Sequence, residues 1–399
     1  VSTPETAAAR ADAAAESVTG SFGHETLGIR ATWLAWIQDP HRRPQLPWSE
    51  WHYWWQAHLL DCLVDAAERE AAGSGDGASA QPWLTLAQRH LRGIRVRNFG
   101  RFPNMFFDDM AWLALASQRA EGLARRLTGQ GLPPAATAVR GLGKRLEAAH
   151  TDDLGGGMFW NTRRQYKNTA TTGPAALFFA RAGDRVRAQS LVDWLYETLF
   201  DPEQGLFLDG IHVPRKGEEP SVTRDIWAYN QGTVLGALLE LGDHGPANLG
   251  HAGALVAAVD RELTVVVAGA TGTTTRGRPL KAHGGGDGGL FMGILARYLA
   301  LAAVDPRLPE STRAIAGRLV SDTAEALWRG REERHSKDLG RAPGSAAANG
   351  PRLVFPAHPG DLASSSYPHG PGQRTAVELC TQVQAWTLLE AAHRVARGN

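Results

Sequence analysis

Two aspartates stand side by side at Asp108 and Asp109, after the aromatic pair Phe106-Phe107 and before the apolar run Met110-Ala111-Trp112-Leu113. Adjacent carboxyl groups in a partly apolar setting cannot both ionise cheaply, so their proton affinities separate into one acid and one base. Cleavage of a glycosidic bond needs that division. Neighbours along a chain, with diverging side chains, favour the about 5–5.5 Å separation of a retaining mechanism over the about 6.5–9.5 Å of an inverting one. The same pair also suits an ordinary helix start, where carboxylates cap free N–H groups at the positive end of the dipole. A second pair, Asp152-Asp153, lies in a polar linker without flanking aromatics and serves as an internal control.

Other residues repeat the placement of the first pair at the starts of helical segments. Asn104 and Phe107 flank the aspartates. The segment GGGMFWN brings Phe159, Trp160 and Asn161 out of a glycine-rich turn, a combination suited to stacking a sugar ring and bonding its hydroxyls. Lys167 and Asn168 precede one helical segment, and Tyr229, Asn230 and Gln231 open another; amides offer donor and acceptor together, which matches vicinal hydroxyls. Asp287 sits in GGGDGG, where it could hold hydroxyls, support the aspartate pair or cap its helix. That run formally satisfies G-x-G-x-x-G, but no strand precedes it, so a dinucleotide site is a poor reading. Trp55 and His58 belong to the Trp-rich stretch 51–61 as wall or core residues. His52 and His58 are six apart and not at the spacing of a zinc pair, so neither a metal nor an organic cofactor is expected.

Positioning these residues falls to helices. Apolar residues recur at three and four spacings in twelve segments, roughly 25–38, 49–72, 81–92, 106–126, 134–150, 169–182, 184–199, 225–242, 248–268, 288–304, 310–330 and 374–396. Short strands are expected only at 206–213 and 264–267. The unusual stretches WHYWWQAHLLD, NMFFDDMAWLALA, YKNTATTGPAAL, WAYNQGTVLGALLEL and GGGDGGLFMGILARYL start 53, 62, 61 and 57 residues apart, a period near two helices. The pattern predicts an all-α (α/α)6 toroid of six helical hairpins, with the site in a funnel at the N-terminal ends of the inner helices. An α-solenoid or a pair of bundles is the alternative. Residues 1–24 read as a loose or frayed leader, 25–399 as one domain, and 331–373 as a long connection that could fold over the funnel rim.

Composition agrees with a globular chain acting on a neutral partner. Of 399 residues, 43% are hydrophobic and 21% charged, and Lys+Arg 42 against Asp+Glu 41 leaves +1, too weak a field to argue for nucleic acid or an anionic membrane surface. The two cysteines, Cys62 and Cys380, read as small buried residues. No membrane span is expected, and a monomer is. The opening run lacks a basic and apolar leader, which points to the cytoplasm unless a signal peptide was removed before residue 1.

Taken in order and spacing, NMFFDDMAWLALA, GGGMFWN followed by YKNTATTGPAAL, WAYNQGTVLGALLEL and GDGGLFMGILARYL resemble the hallmark segments of glycoside hydrolase family 76, the α-1,6-mannanases, from about Trp48 to Trp386. The resemblance implies an (α/α)6 fold and endo-acting, retaining hydrolysis of α-1,6-linked mannan or manno-oligosaccharides. It assigns the nucleophile to Asp108 and the general acid/base to Asp109. The chain departs from the family pattern at Phe107, where Tyr is common, at Phe159-Trp160, where Trp-Trp is common, and near Thr172, where Asn is common. Fungal relatives imply transglycosylation on mannan-type glycans as an alternative outcome. Two rivals use the same fold: a sugar epimerase with facing histidines, for which His24, His52, His58 and His283 are the candidates, and a noncatalytic glycan-binding toroid.

Overall fold

The computed structural model describes residues 3–41, 45–75, 77–214, 218–267, 277–334, 352–370 and 373–398. Its helices are α1 (Pro4–Phe22), α2 (Tyr53–Ser74), α3 (Gln81–Arg97), α4 (Phe107–Thr128), α5 (Pro133–Ala149), α6 (Thr169–Arg181), α7 (Arg185–Thr198), α8 (Ala228–Leu241), α9 (Asn248–Glu262), α10 (Phe291–Val304), α11 (Glu310–Gly330), the single turn α12 (Ala363–Ser366) and α13 (Leu379–Gly398). Helices α2, α4, α6, α8, α10 and α13 pack each against the next, and α13 returns to α2, closing an inner ring. Around it α3, α5, α7, α9, α11 and α1 pack on α2, α4, α6, α8, α10 and α13 respectively. The architecture is an (α/α)6 toroid.

Eleven of the twelve helical segments read from periodicity are helices. The segment at 25–38 is not one. It forms a 3-10 turn at Thr26–Gly28 and short strands at Leu34–Ala35 and Gln38–Asp39, because Leu27 and Ala31 adopt positive φ and interrupt any helix. The outer helix that segment was expected to supply is α1, inside the presumed leader. Pro at its first turn and the side chain of Thr3 as N-cap start it, and Ala11, Ala14, Ala15 and Val18 bury one side against α13. Of the short strands, Leu206–Phe207 and Gly210–His212 form, whereas 264–267 contributes only an isolated bridge from Thr264 to Leu280. In the long connection, Glu332–Arg334 pairs with Arg352–Val354, and 335–351 lies outside the described residues.

Inner helices are apolar on nearly all sides, and α10 with the turn before it is the one stretch among the described residues apolar and long enough to cross a membrane. Its burial inside the ring accounts for that composition. Close approach needs glycine: a Cβ on Gly232 of α8 would lie 2.9 Å from Leu295 Cα of α10, and one on Gly293 of α10 would lie 3.0 Å from Gln384 Cα of α13. Three inner-helix glutamines clamp extended segments as a neighbouring strand would. Gln56 binds the N–H and C=O of Ala35, Gln231 those of Phe207 and Gln382 those of Phe355, at 2.8–3.2 Å. The ladder groups of these short non-helical pieces are satisfied from inside the ring.

Candidate active site

Because the inner helices alternate with antiparallel outer ones, their N-termini gather at one end of the ring. There a cavity of about 720 Å³ opens, lined by Trp54, Asp108, Trp112, Trp160, Asn161, Asn168, Asp209, Tyr229, His283 and Asp287 among others. One wall is an antiparallel sheet of Tyr166–Asn168, Gly210–His212 and Ser221–Thr223.

Asp108 and Asp109 occupy the first turn of α4. Asp108 faces the cavity and accepts from the Asp109 backbone N–H at 2.9 Å and from the Trp160 indole at 2.9 Å. Asp109 is not among the cavity-lining residues; it accepts from the Asn104 amide at 2.6 Å, toward the loop that leads into α4. Burial pushes the Asp108 carboxyl up to about 7, with the charge of Asp287 adding to it, while its two N–H donors pull the other way. Asp109 is held well above the usual carboxylate range by burial and by the adjacent Asp108, against the pull of Asn104. Two donors on Asp108 against one on Asp109 make Asp108 the better-stabilised anion, so the pair holds one proton in common and Asp109 keeps it longer.

Asp287 is exposed at the mouth, where the indoles of Trp54 and Trp55 both donate to its Oδ1, at 3.1 and 3.2 Å. Asp209 is a cavity residue that the sequence reading passed over. Tyr166 donates to it at 2.7 Å, Asn230 reaches it at 3.5 Å, and burial raises its pKa. The signal available was an acidic residue in the short strand run LFLDG. Trp54, Trp112, Tyr166, His212, Trp227 and Phe291 also line the cavity without having been singled out.

Of the expected binding residues, Trp160, Asn161, Asn168, Tyr229 and Asp287 line the cavity. The others do not, and each for a packing reason. Phe107 is buried in the core. Asn104 orients Asp109. Gln231 is the Phe207 clamp, and Asn230 lies fully buried behind Asp209. Trp55 reaches the site only through its bond to Asp287, and His58 lies between Trp54 and Trp112 with burial lowering it to about 3. Lys167 is fully buried: its ammonium donates to the carbonyls of Thr151, Asp153 and Gly156 and so ties the turn that carries Trp160. Backbone oxygens, invisible to a motif, together with the Thr151 hydroxyl and the face of Phe159, hold a buried lysine here.

Of the four histidines weighed as epimerase groups, only His283 lines the cavity, and burial lowers it to about 4. His24 stacks on Trp36 at 3.9 Å and His52 on Trp55 at 4.1 Å. Cys62 and Cys380 are buried free thiols. Among the described residues no cluster of metal-ligating side chains occurs.

The fold is shared with solved structures. The α-1,6-mannanase GH76A of Salegentibacter sp. HEL1_6 is 29% identical, with a TM-score of 0.73 over 97% of this chain and 98% of that one. A variant of the same enzyme, inactive through replacement of two consecutive aspartates by asparagine and bound to α-1,6-mannotriose, is 28% identical with a TM-score of 0.73, over 98% and 99% of the chains. The mannosidase of this family from Bacteroides thetaiotaomicron, at 17% identity and a TM-score of 0.69 over 98% and 99%, shares the fold. No curated protein sequence is similar enough to count as a match. The sequence profile described as glycosyl hydrolase family 76 matches residues 37–344, and with the toroid and its paired aspartates this makes the chain a glycoside hydrolase belonging to that family.

Proposed function

We propose that the protein hydrolyses α-1,6-mannosidic linkages in mannan or manno-oligosaccharides, within the chain, by a retaining double displacement. The observation that carries the reading is the unequal pair on the first turn of α4: Asp108 is the better-stabilised anion facing the cavity, and Asp109 is the carboxyl that holds its proton. Asp108 then attacks the anomeric carbon while Asp109 protonates the departing oxygen; Asp109 next takes a proton from water, whose oxygen displaces Asp108 and restores the starting state. The dipole of α4 and the Trp160 indole stabilise Asp108 as it regains charge in the second step. The bound α-1,6-mannotriose of the similar Salegentibacter enzyme supports the linkage, and the aromatic rings of Trp54, Trp112, Trp160 and Tyr229 lining the cavity suit the faces of a sugar. Substrate is expected to be the only partner required, with the protein acting as a monomer.

The test is incubation with linear α-1,6-manno-oligosaccharides of graded length, with products resolved by size and anomer. Internal cleavage with the α-anomer released first is the expected result. First release of the β-anomer would overturn the retaining mechanism, and no cleavage of any length would overturn the activity.

A further inference from the structure

Large aromatic side chains are exposed well outside the cavity, on the rim beside the N-terminus of α4. Trp48 is 79% exposed and Phe99 76%, and Met105 and Phe106 are also open to solvent. Neither of the first two sits on a loose segment. Phe99 occupies the left-handed residue after α3, at φ +55, the position that usually takes glycine and that bulky side chains avoid. The turn is closed by Gly100 N–H donating to Arg95 O at 2.8 Å and by Arg95 Nε donating to Gly100 O at 2.7 Å. Mostly exposed, the phenyl ring gives little to the core in exchange for that backbone conformation.

One side chain ties the two exposed aromatics to a common frame. Arg97, buried and two residues before Phe99, donates to the carbonyls of Leu46 at 3.0 Å, Pro47 at 2.5 Å and Ser49, so the segment bearing Trp48 is fastened to the end of α3. From Phe99 the chain runs on through another clamp, in which the Asn98 amide holds the carbonyls of Arg101, Phe102 and Pro103 at 2.9–3.0 Å. It then reaches Asn104, which holds Asp109, and Phe106, whose ring lies 5.5 Å from that of Trp160 in the cavity wall. Exposed apolar side chains therefore recur along this clamped stretch, from Phe106 at the cavity wall through Met105 to Phe99, with Trp48 fastened beside its end by Arg97.

We propose that Trp48 and Phe99 form an outer platform that binds a further stretch of the same neutral glycan chain beyond the cavity, on the side where Asp109 protonates the leaving group. The inference rests on the reading of the protein as a mannan hydrolase. A cavity of about 720 Å³ is of small-ligand size, so most of a polymer must lie outside it. Aromatic faces pack against the C–H faces of pyranose rings, and a ring held by a fixed backbone loses little freedom on binding. Of the exposed charges beside the platform, Glu50 and Arg101 are of opposite sign and Arg95 is committed to the Gly100 carbonyl, which favours a neutral polyhydroxyl chain over an anionic surface.

The experiment uses Trp48→Ala, Phe99→Gly and the double variant; glycine fits the backbone at position 99, so the fold is retained. The double variant is expected to raise KM on polymeric α-1,6-mannan about fivefold or more while leaving KM and kcat on α-1,6-mannotetraose unchanged. Asp108→Asn protein is expected to be retarded in a native gel containing the polymer, and to run freely once Trp48 and Phe99 are also replaced. Unchanged polymer KM and retardation in the double variant overturn the platform. So does a result in which these residues govern only binding to anionic phosphatidylglycerol vesicles or self-association. If wild-type protein cleaves neither substrate, the activity reading fails, and the gel measurement on the Asp108→Asn background still decides the platform.

Discussion

The two ends of the toroid handle buried acid in opposite ways. At the funnel end Asp108 and Asp109 have no cation within ion-pair distance among the described residues and are met by N–H donors from Trp160, Asn104 and the Asp109 backbone, and the exposed Asp287 beside them accepts from Trp54 and Trp55. Halfway down the same helices and beyond, Asp61, Asp65 and Glu68 of α2 are bound by Arg119 of α4 at 2.6–3.1 Å, and Arg297 of α10 adds a 2.6 Å pair to Asp65. Burial pushes Asp61 up, but Arg297 and Arg119 outweigh it and bring it to about 2, whereas Asp108 rests at about 7. The same side-chain chemistry is thus turned into fixed charge at one end and a transferable proton at the other. Presence or absence of arginine makes the difference.

Breaking the funnel side has the largest expected effect. Asp108→Asn and Asp109→Asn should each lower kcat on α-1,6-mannotetraose by about 10³-fold or more, while Asp153→Asn in the control pair leaves it unchanged. Stability should not fall with it. A carboxyl raised in the folded state contributes stability that is complete below its unfolded value and gone once pH has risen through the folded one, so wild-type protein loses stability between about pH 4 and about 7. Asp108→Asn is expected to flatten that decline in Tm, and a steeper decline would mean the carboxyl is not raised.

Breaking the arginine side should do the reverse. Arg297→Met leaves Asp61 and Asp65 short of a partner and is expected to cost about 3–5 kcal/mol of stability, read by urea denaturation, with kcat of the folded protein retained. Because Asp61 is depressed, its contribution in wild type is present above the unfolded carboxylate value and lost as pH falls toward about 2, and the variant should lose stability at higher pH than wild type. A variant as stable as wild type would show that the network is not what holds this end together.

A finer change sharpens the contrast within the funnel. Trp160→Phe keeps the ring and removes the N–H that Asp108 accepts, so the acid limb of the kcat/KM profile should move to higher pH and kcat should fall about tenfold. A profile unchanged in position would show that the indole only packs.

Much of this was legible from residue types. Amphipathic period located α2 to α11 and α13, and adjacency marked Asp108-Asp109, because two carboxyls in sequence are close whatever the fold does. α1 was missed since its buried face is alanine, which contrasts little with the small polar residues beside it. Lys167 and Gln231 were misplaced for a related reason: polar side chains read as site walls, yet their partners are backbone carbonyls and N–H groups of distant loops, positions that no side-chain pattern encodes. Asp209 was lost inside an apolar run, and only the bend between Leu206–Phe207 and Gly210–His212, held by Thr169 N–H donating to its carbonyl, brings it to the cavity.

Ring closure is achieved by the first and last helices described, α1 lying along α13 with the Pro4 carbonyl 3.3 Å from His393 Nδ1. Synthesis must therefore run through α13 before the sixth hairpin can dock, so the nascent chain waits as an open arc with apolar edges bare. A short linker joining residue 3 to residue 398, with a new break in an outer turn such as that after Gly129, would let neighbours in sequence zip that seam first and should speed folding while the finished circle stays the same.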